Sequence, residues 1–409
     1  MKGWRGMTNQ SLSTMKINIG PQHPSTHGVL RLVLELDGEV IKSCEPVIGY
    51  LHRGMEKMAE NRTYLQYLPT VDRIDYLSGF FNAYAFCDAV ENLAQIETTK
   101  RVQYIRVLTM EMDRLASHLL WLGTFMLDLG ATSPLFYTFR DREVILSLFE
   151  ELTGQRLMYN YYTFGGVRHD VPMNWLDRTA DFIKKMPRKI KDYENIITDN
   201  PIFVTRTKDI GVISKHSALQ YSLTGPNLRA TGVALDYRNS PPPHPSPSSG
   251  EGVNSNLHTY PPLEGGSKSL ISGGGYSIYS ELDFKVITAE NGDSFDRYKV
   301  RIQEMKVCLK IISQCVDWLK SNDGDVVSSV KQPLLKVPAG EYISNVEAPR
   351  GLCSCYVKSD GTGKPYRVKW RTGSFYSVQV LPKLLENSMY PDLMAIFGSL
   401  DVILPEVDR

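Results

Sequence analysis

The chain has 409 residues, enough for one large or two ordinary domains, with 42% hydrophobic residues, 22% charged residues and a net charge of +1. That balance is globular and excludes a protein built around a basic nucleic-acid-binding face. The most apolar stretch, 115–129, still carries Ser117, His118, Thr124 and Asp128, short of the roughly 18 uninterrupted apolar residues of a membrane span, so work at a membrane would require docking on another protein there.

Residues 1–14 hold Lys2 and Arg5, no acid and several Ser and Thr. They form an N-terminal extension that could be a stub of a targeting segment but is too short and too weakly patterned to identify as one, and they lack the apolar core of a secretory signal. Residues 15–53 read as a β-rich part with two strands. The run Gly20-Pro21-Gln22-His23-Pro24-Ser25-Thr26-His27-Gly28 is a stiff loop that places two histidines four apart just before Leu30, Leu32, Leu34 and Leu36 alternate. Those imidazoles could bind a metal, bind another ligand or cap backbone groups, but across Pro24 they cannot form a helical i,i+4 ligand pair. Asp37-Gly38 marks a hairpin turn.

Helical periodicity takes over near Gly54, and 54–239 reads as a helical bundle. Ile105, Leu108, Met112, Leu115, Leu119, Leu122 and Met126 repeat at three and four, with Arg106, Asp113 and Arg114 off that stripe. Gly123 is expected to interrupt this helix and Gly130 to end it. Ser133-Pro134 opens the next helix, which stops at Gly154; another covers 175–197, with Pro187 as a breaking point. Residues 240–275, rich in Pro, Gly and Ser, have little to bury and read as an exposed insertion. In 276–409, Asp293 or Ser294 starts a long helix through Phe295, Ile302, Met305, Leu309, Ile312 and Val316, and 341–380 reads as strand-rich. The fold class is therefore α+β, a central helical bundle with strand-rich N- and C-terminal parts. Cysteines 44, 87, 308, 315, 353 and 355 form no Cys-x2-Cys pair, so they read as ordinary thiols in a reducing compartment rather than a disulfide framework or zinc site.

Several motifs recur in order: the segment from Gly20 to Arg31, Gly49-Tyr50-Leu51-His52-Arg53-Gly54-Met55-Glu56-Lys57, Asn61-Arg62-Thr63-Tyr64-Leu65-Gln66, Asp72-Arg73-Ile74-Asp75-Tyr76, Arg114-Leu115-Ala116-Ser117-His118, Leu127-Asp128-Leu129-Gly130-Ala131, Asp296-Arg297-Tyr298 and the closing Glu406-Val407-Asp408-Arg409. Together they resemble the 49-kDa-type subunit of respiratory complex I, the D-type subunit of bacterial NADH:quinone oxidoreductase. The resemblance runs from near Lys16 to Arg409 apart from 240–275. A plastid NAD(P)H dehydrogenase-like subunit shares much of the pattern. The family is also similar to the large subunit of nickel–iron hydrogenases, whose two Cys-x2-Cys pairs correspond here to Asp75 and Ser78 and to Ile403 and Glu406. None of the four is a thiolate, so a soft nickel–iron centre has no ligands and an active hydrogenase is excluded.

The resemblance implies a quinone site. It places the quinone headgroup between His27 and Tyr76, an imidazole and a phenol that can bind the two carbonyl oxygens and deliver two protons, with Asp128 stabilising cationic His27. From the residues alone, Tyr76 could simply pack its hydroxyl on a carbonyl, and Asp128 could be a helix-end carboxylate. Arg73 resembles an arginine beside the terminal 4Fe–4S cluster held by the B-type subunit; where the family often has histidine after Gly-Gly-Val, this chain has Arg168, with His169 one residue later. Asp401 and Ile403 fall where the family's C-terminal segment lines the quinone cavity, and Arg53 matches a position methylated in some mitochondrial members. The implied chain holds no metal, flavin or cluster of its own. Its partners would be quinone and the other complex I subunits, above all the B-type, C-type and membrane-embedded H-type. The implied place is the cytoplasmic face of the bacterial inner membrane, with the matrix side of the mitochondrial inner membrane as the alternative. A scaffold subunit without chemistry would instead leave His27, Tyr76 and Asp128 dispensable for turnover.

Overall fold

A computed structural model describes residues 14–21, 28–239, 276–326 and 335–409. His27, the extension at 1–13 and the 240–275 segment lie outside the described residues. The alternating leucines bury one face of β2 (Arg31–Asp37), as a period of two requires. This strand pairs antiparallel with both β1 (Met15–Ile19) and β3 (Val40–Val47), so the two expected strands are three. Asp37 and Val40 close the hairpin, which makes Gly38-Glu39 the loop, one residue later than the sequence suggests; Gly38 supplies the positive φ of 63° at its first position.

Short helices α1 (Met55–Glu60) and α2 (Tyr64–Val71) follow, the second opened by a capping box between Thr63 and Gln66. Helices α3 (Gly79–Ala94), α4 (Lys100–Asp128) and α5 (Ser133–Thr153) form the centre of the bundle. Gly123 does not break α4. A Cβ there would stand 2.5 Å from Thr138 Oγ1 and 3.2 Å from Leu135 Cα, so the glycine serves the close approach of α5. Nor is α4 amphipathic: Arg106, Asp113 and Arg114, off the apolar stripe, are as buried as the stripe itself.

A two-stranded hairpin, β4 (Tyr162–Thr163) and β5 (Gly166–Val167), precedes α6 (Met173–Ile197). Pro187 leaves α6 continuous, because Trp175, Phe182, Ile183, Met186, Ile190 and Tyr193 bury one face along its whole length and hold it across the missing N–H. Three short helices, α7 (Pro201–Thr207), α8 (Lys215–Gln220) and α9 (Gly225–Arg229), lead to the described edge at 239. Asp293 caps the long α10 (Ser294–Ser321), accepting from Asp296 N at 2.7 Å.

The last part carries an antiparallel sheet, β6 (Gly340–Ala348), β7 (Gly351–Ser359) and β8 (Arg367–Arg371), packed on α3. The strand-rich reading of 341–380 stops at 371. Residues 373–385 form α11 (Gly373–Leu385), because Val378, Leu381, Leu384 and Leu385 follow helical spacing and face the core. Helices α12 (Leu393–Leu400) and α13 (Leu404–Asp408) finish the chain. The apolar side chains of β1–β3 share a second core with α11 and α12, so the first and last parts of the sequence meet, stitched by Ile41 N to Ser388 O at 2.9 Å. The architecture is α+β, and no described helix is long and apolar enough to cross a membrane.

Candidate functional site

The turn between α2 and α3 folds around Asp75. Its carboxylate accepts from Leu77 N at 3.0 Å and from Ser78 Oγ, and its carbonyl accepts from Asn82 Nδ2 at 3.3 Å. These bonds fix the direction in which the neighbouring Tyr76 leaves the turn. Tyr76 is half-buried, and burial first, then Asp75, pushes its phenol above the ordinary value, with Arg350 and Arg142 opposing. The phenol therefore keeps its proton at neutral pH.

Arg350, in the turn between β6 and β7, reaches into the same place. Nη2 donates to Asp75 Oδ1 at 3.3 Å and Nη1 to Ser117 Oγ of α4 at 3.0 Å. Backbone packing sets this turn. A Cβ on Gly225 would fall 2.4 Å from Gly351 Cα, and one on Gly373 2.2 Å from Arg350 O, so only glycines allow the three segments to approach so closely. Ion pairs hold Arg350 against the end of the chain as well: Nε lies 4.0 Å from Asp401 Oδ1 and 3.9 Å from Glu406 Oε2.

That C-terminal segment is itself positioned by α11. Ser374 Oγ accepts from Ile403 N at 3.1 Å, and Ser374 N donates to Glu406 Oε1 at 2.9 Å. Asp401, in left-handed backbone at φ 55°, turns the chain after α12 and meets Arg301 of α10, Nε to Oδ2 at 3.7 Å. Glu406 also hydrogen-bonds Asp75; burial first, then Asp75, raises its carboxyl to about 8. Among the described residues Arg301 Nε, Arg350 Nε and Asp401 Oδ2 are buried without a hydrogen-bond partner, so this cluster keeps polar capacity that the protein leaves unused.

Asp75, Tyr76, Asp401, Ile403 and Glu406 thus come together from two ends of the sequence, with Arg350 between them. Asp128, the last residue of α4, lies against α12: its Oδ2 is 3.5 Å from where Gly398 would carry a Cβ. Gly28, immediately after His27, sits similarly against Leu404 of α13.

The remaining candidates lie on a different edge. Arg73 is exposed and its guanidinium donates to Pro69 O. Asn160 connects it with the β4–β5 hairpin: Asn160 N donates to Oδ2 of Asp72 at 3.0 Å, and Asn160 O accepts from Arg168 Nε. Arg168 and His169 are both exposed there, and Tyr161 Oη donates to His169 O at 2.5 Å. Arg53 bridges the two areas, Nη1 to Arg73 O at 2.7 Å and Nη2 to Pro405 O at 3.0 Å. From below, Glu91 and Arg106 anchor the hairpin.

Sequence reasoning missed Arg350 and Arg301. The only signal for Arg350 was Pro349-Arg350-Gly351 between two alternating strands, which reads as an exposed hairpin turn. All six cysteines are buried, and among the described residues no group of three or more His, Cys, Asp or Glu could hold a metal ion.

Compared with known proteins, the sequence matches the family described as the respiratory-chain NADH dehydrogenase 49 Kd subunit over residues 128–244 and 273–409. It is 44% identical over 394 residues to the D-type subunit of the NADH-quinone oxidoreductase of Bacillus mycoides (strain KBAB4), covering 96% of this chain and 98% of that protein. The corresponding D-type subunits of Geobacillus thermodenitrificans (strain NG80-2) and Bacillus cytotoxicus show the same identity and coverage.

Proposed function

The chain belongs to the family of the 49-kDa subunit of respiratory-chain NADH dehydrogenase, and we propose that it forms the quinone-reduction site of a proton-pumping NADH:quinone oxidoreductase. It does so together with the cluster-bearing B-type subunit, and is active only within the complex. The observation that carries this reading is the meeting of Tyr76 with the 401–406 segment around Arg350, a buried polar cluster with hydrogen-bonding groups left without a partner.

Quinone reduction consumes two electrons and two protons, one proton for each carbonyl oxygen. Tyr76 donates to one oxygen and His27 to the other. Asp128 stabilises His27 in its cationic form, which keeps the donated proton on the imidazole before transfer and senses its loss afterwards. Asp401 and Ile403 line the cavity. The electrons arrive from the cluster of the B-type subunit, and Arg73, Arg168 and His169 face it; nearby positive charge favours the reduced, more negative cluster. The exposed positions of these three side chains, with Asn160 bonding Arg168 on one side and Asp72, the neighbour of Arg73, on the other, support a shared edge open to a partner.

Membership of an assembly is supported by large apolar side chains on the surface, among them Phe136 at 70% and Ile202 at 72% exposure. The C-type and H-type subunits are the further partners, proton translocation takes place in other subunits, and the chain sits peripherally on the cytoplasmic face of the bacterial inner membrane. Tyr76→Phe in the assembled complex tests the reading. NADH:quinone turnover should fall by about two orders of magnitude, while NADH oxidation by an artificial acceptor that bypasses quinone stays at the wild-type rate. Unchanged quinone turnover would remove Tyr76 from the headgroup.

A further inference from the structure

We propose that Asp75 and Glu406 form an acid pair that holds one proton between them and returns it to Tyr76 after each donation to quinone. The inference rests on the quinone-site reading above and adds where the phenol's proton comes from.

Charge decides how many protons the pocket keeps. Three carboxyls, Asp75, Asp401 and Glu406, face two guanidiniums, Arg301 and Arg350. All five side chains belong to residues nearly inaccessible to water, at 2%, 7%, 5%, 0% and 2% exposure. Asp75 and Glu406 share one guanidinium, that of Arg350, so with both ionised one buried carboxylate would lack a counter-charge of its own, which is unfavourable in a dry site unless a proton neutralises it. Asp401 contacts both guanidiniums, whereas Asp75 and Glu406 share Arg350 and hydrogen-bond each other. Two carboxyls can hydrogen-bond only if one of them carries the proton. The proton therefore resides on this pair, and burial of Glu406 next to Asp75 favours it there.

Other acids face the site from neighbouring elements. Helix α4 presents Asp113 and β7 presents Cys353, both pushed up by burial. Glu304 of α10 faces Arg301 but, against its burial, is held well below its ordinary value by Arg229 and Arg238. Arg142 of α5 and Asp72 act on Asp113, while Arg371 and Arg409 act on Cys353. Tyr76 is the next residue after Asp75, and Asp75 is the strongest charge acting on its phenol.

Donation to quinone breaks the phenol O–H and leaves a phenolate stabilised by Arg350. The carboxyl O–H of the pair then breaks, the phenol O–H re-forms, and two carboxylates remain against Arg350 until solvent restores their proton. The electrons come from NADH through the neighbouring subunits and do not involve the pair. Asp75 and Glu406 thus act through Tyr76 and not on quinone.

The test is the pH dependence of NADH:quinone turnover in membranes carrying the assembled complex, with the artificial-acceptor rate as the measure of assembly. The wild type should lose turnover as pH rises through about 8, where the pair gives up its proton. Glu406→Gln should lower turnover on the order of tenfold and abolish that alkaline limb, and Glu406→Asp should restore both. Ser78→Ala removes the hydroxyl that donates to the Asp75 carboxylate, so the pair should hold its proton more tightly and the limb should move to higher pH. A merely structural role predicts no such shift, and if Glu406→Gln fails to assemble, Ser78→Ala decides. Glu406→Gln with a wild-type rate and limb, or Ser78→Ala with an unmoved limb, overturns the proposal. If Tyr76→Phe abolishes quinone turnover while these profiles stay unchanged, the acid pair alone falls; if Tyr76→Phe is itself silent, the site reading falls.

Discussion

Glu91→Ala should loosen the hairpin that carries Arg168 and His169. Glu91 of α3 and Arg106 of α4 form a buried, two-pronged pair, Nη1 to Oε2 at 2.9 Å and Nη2 to Oε1 at 2.6 Å. Both partners also hold the tip of the hairpin. Oε1 of Glu91 accepts from Gly165 N at 2.6 Å, and Arg106 Nη2 donates to Thr163 O at 2.9 Å and Gly166 O at 3.0 Å. Removing the carboxylate leaves a guanidinium that is 2% exposed without its counter-charge, which costs about 3–5 kcal/mol. The two carbonyls that remain put the loss near the lower end, about 3 kcal/mol, or about a hundredfold in the opening equilibrium. Hydrogen exchange of the amides around 162–167, measured on the assembled complex, reads this directly. They should exchange about a hundredfold faster than wild type, while amides in the middle of α4 keep their protection. Glu91→Leu combined with Arg106→Met should be milder than Glu91→Ala alone, since no charge is then stranded. Wild-type exchange in Glu91→Ala would refute the clamp.

Burial raises the Asp72 carboxyl to about 7, with the Asn160 N–H opposing. The folded state therefore keeps a proton that the unfolded chain has lost, and stability falls as pH rises from about 4 to about 7; Asp72→Asn should flatten that slope in thermal melts of the complex. Gly123→Ala forces a methyl against Thr138 Oγ1 and Leu135 and should lower stability by about 1–3 kcal/mol, partly recovered by Thr138→Ala. Pro187→Ala restores a missing N–H inside α6 and should raise the melting temperature, by at most about 3 kcal/mol of stability.

Patterns that depend on local period were legible in the sequence. The alternating leucines of β2, the three-and-four spacing of α4 and the acidic cap of α10 each state which face is buried within a few residues. What failed were features settled by distant contacts. Gly123 looked like a helix breaker because its reason, the backbone of α5, is invisible in the α4 sequence. Arg106 and Arg114 fall off the apolar stripe of α4 yet are buried, because Glu91 on another helix takes up Arg106 and the Glu347 carbonyl on a strand accepts from Arg114. Likewise Arg229 finds Glu304 at 2.5 Å and Glu347 at 2.6 Å, and no periodicity reports such a buried network. In the candidate site, Tyr76, Asp401 and Ile403 were singled out only through family resemblance, whereas Arg350, which joins them, sat in a turn whose composition suggested exposure. His27 is part of the same expectation and lies outside the described residues.

The central claim is that the 72–78 turn and the 401–406 segment form one quinone pocket. Photoaffinity labelling of the assembled complex with an azido-quinone, followed by peptide mapping, tests it most directly. Label is expected in the peptides that contain Tyr76 and Ile403, and it should be lost when excess unlabelled quinone competes. Competable label confined elsewhere, such as the cleft between α6 and α10 lined by Ile183, Pro187, Leu309 and Val316, would contradict it.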